Sequence, residues 1–550
     1  MYAVLHDNCV YIGFPYNKSL VSLLKATGCG PKWKPHVQMW EAPITLRLIE
    51  FLFKQNCELM PEDESALIDA GERLMQRDLN QKKMAKLARA TEASPIPEVL
   101  EQLKRAGASV TPRTHQWVPI HHFLLSGGVQ YLADEMRIGK SVSSTLCAFH
   151  PKWLDHTVFI VCPAHLIEDW QTKLSDYFNT ISHVVDGPLP ALIPGIRFYI
   201  CSYERTHFLN DGHKLYNYGE KLFLIADEAQ ELKNPKTIRV KNFRQLSRQS
   251  AVRMWLSGTP IPNRVKELFT QLDLLDPGFM NWKRFVYEFC KAFYMALPPT
   301  ENDEQRGFMV TTGYSNLDKL YKMLEAKYMV RRTQEEVWKY LPEKIHEPIY
   351  LGARDLPGKS SFAKWCQNSK EKHTDPMFLS LMKDVVTDGY KTLLFGHFAE
   401  MLDALERICQ DANIGYVRID GKDSSKQKLA KVHQFQTDPD TVVSIMSITA
   451  TSTGLTLSAA RVIVFCEIFP QDAMMRQAMA RADLEDKIDP TIVIYPIYSL
   501  LERRLCELVS TKRMISKRAI DGVSEKTISD VDLLKVIADE TGIPVGKVSI

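Results

Sequence analysis

Residues 132–141 read Leu-Ala-Asp-Glu-Met-Arg-Ile-Gly-Lys-Ser, and residues 221–228 read Lys-Leu-Phe-Leu-Ile-Ala-Asp-Glu. The first segment is a strand running into a Gly-Lys-Ser turn. Such a turn points backbone N–H groups and a lysine at nucleotide phosphates and leaves a hydroxyl for Mg²⁺. The second is an apolar run that ends in adjacent carboxylates, Asp227 and Glu228. One carboxylate can hold Mg²⁺ through water while the other orients or deprotonates an attacking water. A phosphate cradle followed by an acidic pair at a strand end is the minimum equipment for ATP hydrolysis. Either half alone is a weak signal; the pair restricts the fold to one that brings two strand ends together.

The order of apolar runs meets that requirement. From 113 to about 275, candidate strands at 129–134, 157–162, 197–201, 222–226 and 252–256 alternate with helical patterns. This rhythm implies a parallel sheet with helices on both faces, whose carboxyl edge binds ligands. A second series, at 391–396, 415–419, 442–447, 461–466 and 491–496, predicts a similar lobe sharing one cleft with the first. Between them, 276–345 reads as a helical extension without strand rhythm. The second lobe is expected over 346–500 and a C-terminal helical brace over 501–550. Residues 1–60 read as a small α+β unit. Val10–Phe14 is strand-like, Asn17 or Ser19 caps a helix carrying Leu20, Val21, Leu23 and Leu24, and Trp33 and Trp40 bracket a second strand. Residues 61–112 form a helical linker with a basic stretch (Arg77, Lys82, Lys83, Lys86, Arg89), either a solvated face or a DNA-facing one.

The remaining composition bounds the class. In a chain of 550 residues with 45% hydrophobic and 25% charged residues, several domains are expected. No apolar run reaches the ~18–20 residues needed to span a bilayer, and the N-terminus lacks the basic start and apolar core of a signal peptide. A location in the cytoplasm or nucleoid of a bacterial or phage-infected cell, or in a nucleus, is expected, neither secreted nor membrane-bound. The 11 cysteines contain no Cys-x-x-Cys pattern, which argues for a reducing compartment and against a structural zinc. His121 and His122 have no metal-ligand spacing. A net charge of +3 is too small to announce nucleic-acid binding by itself.

The motifs, taken in order, resemble the Swi/Snf branch of superfamily-two helicase-like ATPases. Asp134–Ser141 is similar to that branch's Asp-Glu-Met-Gly-x-Gly-Lys-Thr. Val161-Cys162-Pro163-Ala164 with Trp170, Asp227-Glu228-Ala229-Gln230 with Leu232-Lys233-Asn234, and Leu256–Asn263 follow in sequence. Met329–Thr333 and Leu341–Lys344 resemble the segment entering the second lobe. Arg418–Gly421, Thr453–Thr456 and Gln477–Arg481 resemble that lobe's own motifs. Ser447–Ala450 and Phe465-Cys466-Glu467 resemble the annealing-helicase and fork-remodelling group, and the Trp33…Trp40 unit more loosely resembles its HARP module. The resemblance covers about residues 113–520. It implies an α/β protein of two RecA-like parallel-sheet lobes with a helical insertion and a small α+β N-terminal domain.

By that resemblance, Gln116 reads adenine. Lys140 neutralises the β/γ-phosphates, supported by Arg137, Gly139, Gly454 and Gln477. Ser141 and Asp227 hold Mg²⁺, Glu228 activates water, and Arg481 arrives from the second lobe as an arginine finger. ATP and Mg²⁺ are thus the expected cofactors. Three departures stand out. Arg137 replaces a glycine and is strained if its φ is positive. Gln230 replaces a histidine. Asp483 and Leu484 stand where a second arginine finger is expected, with Arg476 or Lys487 as candidates to stand in for it.

Contacts to branched or duplex DNA are expected mainly through phosphates, at His165, Ser202, His397 and Thr449, with Trp33 and Trp40 either engaging DNA or serving as core aromatics. The two histidines read equally as ordinary loop residues. The expected function is an ATP-dependent translocase or helicase on branched or forked DNA, performing branch migration, fork remodelling or strand annealing in replication, recombination or repair, as a monomer. The alternatives are a chromatin-remodelling-type duplex translocase, a non-hydrolysing DNA-binding scaffold and an RNA-unwinding enzyme.

Overall fold

The computed structural model describes residues 1–6, 9–189, 191–210, 221–296, 307–311, 313–338, 342–355, 361–449, 456–469, 471–483, 487 and 489–522. The chain forms two compact units, residues 1–86 and 87–550.

In the first unit, strands β1 (Tyr2–His6), β2 (Cys9–Gly13), β3 (Lys32–Lys34) and β4 (Met39–Pro43) make an antiparallel sheet of order β1-β2-β4-β3. Helix Lys18–Ala26 begins at Asn17, whose side-chain oxygen accepts from the Ser19 and Leu20 N–H groups at 2.9 and 3.2 Å. Only Leu24 of its apolar residues is fully buried, and Leu23 faces outward. Helix Leu46–Lys54, capped by Thr45, buries Leu48, Ile49, Phe51 and Leu52, which meet Ala3, Val10, Ile12 and Leu67 in the core. Trp33 and Trp40 do not bracket one strand. They lie on adjacent strands, β3 and β4, as a direct cross-strand pair, because residues 35–38 turn the chain back between them. Helix Pro61–Ala88 closes the unit.

The second unit holds two parallel sheets. In the first lobe, β5 (Val129–Leu132), β6 (Thr157–Cys162), β7 (Ser182–Val185), β8 (Phe198–Ser202), β9 (Leu222–Asp227), β10 (Val252–Leu256) and β13 (Met329–Val330) run in the order β13-β5-β10-β9-β6-β8-β7. Every pairing is parallel. The runs β8 and β9 are buried along their whole length, and β6 is buried from Val158 onward, as expected of strands covered on both faces. Helix Pro97–Ala106, inside the stretch read as linker, contributes Val99 and Leu103 to this lobe's core beside Trp117 and Trp153. The 276–345 extension also departs from an all-helical reading. It contains the hairpin β11 (Phe293–Ala296) and β12 (Gly307–Val310), and β13 adds to the main sheet. Its helices place Phe285, Phe289, Leu320 and Leu324 in the lobe's hydrophobic core.

In the second lobe, β14 (Ile345–Arg354), β15 (Thr392–Gly396), β16 (Gly415–Ile419), β17 (Thr441–Ser447), β18 (Val462–Phe465) and β19 (Ile492–Ser499) run in the order β14-β19-β18-β15-β17-β16. All of these pairings are parallel as well. Helix Leu500–Ser516 leaves this sheet and passes into the Lys517–Asp521 turn. There Ala519 and Ile520 enter the first lobe's core, and Arg331 donates to Asp521 at 2.6 Å. The brace therefore fastens one lobe to the other through packing and an ion pair. No described helix is long and apolar enough to cross a membrane, and all eleven cysteines are free.

Candidate active site

The cradle grows out of the end of β5. Gly139 (φ 96°) starts helix Lys140–Ala148, and a side chain there would meet the Gln116 amide at 2.4 Å. The positive φ favours glycine at this point, and a side chain would have to displace the Gln116 amide. Gln116 is buried, and its side-chain oxygen accepts from the Arg113 N–H at 2.9 Å. His115 meets the Ile138 carbonyl at 2.9 Å, tying the same segment to the cradle. Lys140 donates to the carbonyls of Asp134 and Glu135 at 2.8 and 3.1 Å. Desolvation lowers its pKa, and the carboxylates of Glu228, Asp134 and Asp227 act against that. A phosphate would add anionic charge beside this desolvated ammonium.

A rigid frame lies behind the cradle. Arg332, with no exposed surface, pairs with buried Asp134 through two guanidinium nitrogens. Its backbone N–H adds a third bond to Asp134 at 3.0 Å, and its Nη1 reaches the His115 carbonyl at 2.5 Å. Arg331 donates to the carbonyls of Ala133 and Gly258 at 2.7 and 3.2 Å. The two arginines thus join β13, the cradle and the end of β10.

The acidic pair stands at the end of β9, separated from β5 by β10 in the sheet. The indole of Trp170 donates to Asp227 Oδ2 at 2.9 Å, and the Glu228 N–H donates to Oδ1 at 2.9 Å. Burial raises the Asp227 pKa, and the neighbouring Glu228 charge adds to it. Glu228 itself adopts a left-handed conformation, φ 51°. Its Oε2 accepts from Gln230 Nε2 at 2.5 Å, and Gln230 Oε1 accepts from Ser257 Oγ at 2.5 Å. Ser257 Oγ in turn accepts from the Thr259 N–H at 3.0 Å. Gln230, in the position of the expected histidine, links the candidate base to the strand-end motif after β10.

Ser141 and Asp227 provide a hydroxyl and a carboxylate, the hard oxygen donors Mg²⁺ takes when phosphates and water complete its shell. The ion would neutralise phosphate charge. Sequence reasoning missed two neighbours here. Lys173 approaches Ser141 Oγ at 3.4 Å and pairs with Asp169 at 2.6 Å. Their i,i+4 spacing on helix Ile167–Phe178 was the available signal, but it marks ordinary surface pairs equally well.

From the second lobe, helix Asp472–Ala480 ends at Arg481. Desolvation in the cleft brings the Arg481 pKa down to about 10, and nearby Arg137 pushes the same way, while Glu228 and Asp169 of the first lobe oppose. The finger candidate therefore lies within electrostatic reach of Glu228. Gln477 is half-buried on the same helix, and Gly454 lies outside the described residues. The two stand-ins proposed for a second finger are engaged elsewhere. Arg476 pairs with Asp472 at 2.7 Å, and Lys487 donates to the carbonyls of Ala460 and Ala482 at 2.6 and 3.0 Å. Asp483 holds Lys344 at 2.8 Å. Arg137 does have positive φ, 69°, and its side chain crosses the cleft to the second lobe.

The candidate DNA contacts are scattered in character. His165 is exposed on the turn after β6, and Thr449 is exposed, with its hydroxyl 2.8 Å from that of Ser447. Ser202 is buried at the end of β8, so its hydroxyl does not present a surface. The His397 ring packs 5.0 Å from Trp365, and its backbone N–H donates to Glu467 at 2.5 Å. In the N-terminal unit the Trp33 and Trp40 rings lie edge to face at 5.5 Å. Trp33 is 45% exposed, so it is not a core aromatic, whereas Trp40 packs against the core.

The SNF2-related domain family matches residues 46–414, and the helicase conserved C-terminal domain family matches residues 377–483. The chain is 31% identical over 396 residues to the Caenorhabditis elegans homolog of SWI/SNF-related matrix-associated actin-dependent regulator of chromatin subfamily A-like protein 1, covering 66% of this chain and 55% of that protein. It is 27% identical over 435 residues to the Homo sapiens DNA annealing helicase and endonuclease ZRANB3, covering 72% of this chain and 39% of that one. The chain thus spans about half the length of these curated relatives, or less. Among solved structures, the Sulfolobus solfataricus SWI2/SNF2 ATPase core in complex with dsDNA aligns at TM-score 0.38 and 18% identity, covering 79% of this chain and 96% of that one. The family match runs from one parallel sheet across the cleft into the other, and the chain belongs to the SNF2-related family, the Swi/Snf branch of helicase-like ATPases.

Proposed function

We propose that this protein is an ATP-driven translocase on duplex DNA that acts at branches or forks. The observation that carries the reading is the cleft itself. Lys140, Ser141, Asp227 and Glu228 stand at one edge of the first lobe's sheet, and Arg481, at the end of a second-lobe helix, lies within electrostatic reach of Glu228. A finger stabilises transition-state charge only when the lobes close, so each hydrolysis is coupled to a lobe movement. Repeated closure advances one lobe against the other along the phosphate backbone. Phosphate contacts carry no base sequence, so recognition is by structure, with affinity falling steeply with salt. The annealing-helicase name of one relative and the exposed Trp33 of the N-terminal unit support action at branched DNA.

The test is ATP hydrolysis by wild type and Lys140→Ala without DNA and with single-stranded, duplex and forked DNA. Stimulation that is strongest on the fork and lost in Lys140→Ala supports the proposal. Equal stimulation by duplex retains the translocase and removes the fork preference. No hydrolysis on any DNA, with fork binding retained, overturns the motor and leaves a binding scaffold.

A further inference from the structure

Among the described residues of the cradle loop, Arg137 is the one whose side chain bonds to the second lobe. Its Nε donates to the Ala480 carbonyl at 3.1 Å, Nη1 to Thr456 Oγ1 at 2.8 Å and Nη2 to the Arg481 carbonyl at 3.2 Å. The two carbonyls close the C-terminal end of helix Asp472–Ala480, where the aligned peptide dipoles place partial negative charge. A guanidinium suits that end, since its planar fork presents several donors at once and its charge complements the dipole. The second carbonyl is that of Arg481 itself, the candidate finger.

The backbone points the same way. Arg137 has φ 69°, a region that disfavours a side chain with a Cβ. Such a conformation persists where the surroundings over-determine it, and it concentrates at functional sites. Glycine would occupy this position without strain, and the side chain is what arginine adds. Neither Arg476 nor Lys487 can share the task while held by Asp472 and by the Ala460 and Ala482 carbonyls.

We infer that Arg137 is a positioning residue: an inter-lobe strut, anchored in the phosphate cradle, that sets Arg481 relative to the acidic pair when the cleft is closed. The inference rests on reading the cleft as an ATPase site and adds to it how finger placement is coupled to the cradle. Arg137 acts through Arg481, so its loss should lower turnover more than ATP binding, because a finger displaced by an ångström loses on the order of 10²-fold in rate.

The experiment uses the full chain. The kcat and KM for ATP are measured on forked DNA for wild type, Arg137→Gly, Arg137→Lys, Thr456→Val and Lys140→Ala. Amide hydrogen exchange is followed over residues 456–457 and 478–483. The expected result for Arg137→Gly is a kcat reduced about 10–100-fold, a KM changed less than about threefold, and faster exchange in both segments. Arg137→Lys, with one ammonium for three donor positions, should recover part of the kcat, and Thr456→Val should lose less than Arg137→Gly. An Arg137→Gly enzyme with unchanged kcat and unchanged exchange overturns the strut while leaving the ATPase reading intact. If wild type matches Lys140→Ala on every DNA, the ATPase reading fails instead. Exchange then decides the strut alone: faster exchange in Arg137→Gly sustains the inter-lobe contact, and unchanged exchange removes it.

Discussion

Asp134→Asn is the sharpest test of the frame behind the cradle. The substitution keeps the shape of the side chain and removes its charge. Arg332 has no exposed surface and Asp134 is 1% exposed. The guanidinium meets the carboxylate through Nε at 2.9 Å and also through Nη2, and the Arg332 N–H adds a bond at 3.0 Å. Removing one partner of such a pair leaves an uncompensated buried charge, at a cost of about 3–5 kcal/mol. Against a total of roughly 5–15 kcal/mol for a native domain, that is a large fraction. Urea unfolding has a slope of about 1–3 kcal/mol per molar, so the midpoint should fall by about 1–5 M, nearer the lower figure for the steep slope of a large unit. Tryptophan fluorescence is a suitable probe, because Trp117, Trp153, Trp170 and Trp255 are all buried in the first lobe. The double variant Asp134→Leu/Arg332→Met removes both charges and should regain most of the loss, since buried pairs replaced together by apolar groups are often near neutral. A midpoint for Asp134→Asn within about 0.3 M of wild type, or a double variant no better than the single one, would refute the reasoning.

Three further outcomes are expected. Gln230→Ala separates Glu228 from Ser257 and should lower kcat on DNA by roughly 10-fold with little change in ATP KM; a pure KM effect would show that Gln230 serves binding instead. Trp170→Phe keeps the ring and removes the indole donor to Asp227, so the Mg²⁺ concentration for half-maximal hydrolysis should rise about tenfold or more, of the order of one lost hydrogen bond to a charged group; an unchanged Mg²⁺ titration argues against Asp227 as an ion ligand. Trp33→Ala should weaken fork binding about 5–100-fold, as loss of one stacked base would, while hydrolysis without DNA stays as it is; unaltered binding on forks, measured by fluorescence anisotropy, removes the N-terminal pair from the DNA interface.

Much of the sheet architecture was legible along the chain because buried parallel strands are short apolar runs bounded by turns. The runs ending at Leu132, Cys162, Asp227 and Leu256 need no partner to be recognised. Strand β7, carrying His183 and only two valines, and the two-residue β13 were not legible, because each is a strand only through its neighbour's hydrogen bonds. The helix Pro97–Ala106 reads as linker for a related reason. Its Val99 and Leu103 form an apolar stripe whose partner lies elsewhere in the sequence.

The same division holds at the site. A cradle of Gly139, Lys140 and Ser141 and the pair Asp227-Glu228 are local patterns, and their chemistry follows from residue type and spacing. A frame such as Asp134–Arg332, or a strut such as Arg137 to Thr456 and Ala480, joins residues hundreds of positions apart, so no local pattern announces it. Arg137 shows the limit most clearly. Its sequence neighbours mark a positive φ as a strain to be explained, but the direction of the guanidinium, and hence its reason for being there, depends on where the second lobe comes to rest. Periodicity and motif spacing are written within a few turns of chain, whereas the pairing of charges across a cleft is set by how two separately folded sheets pack.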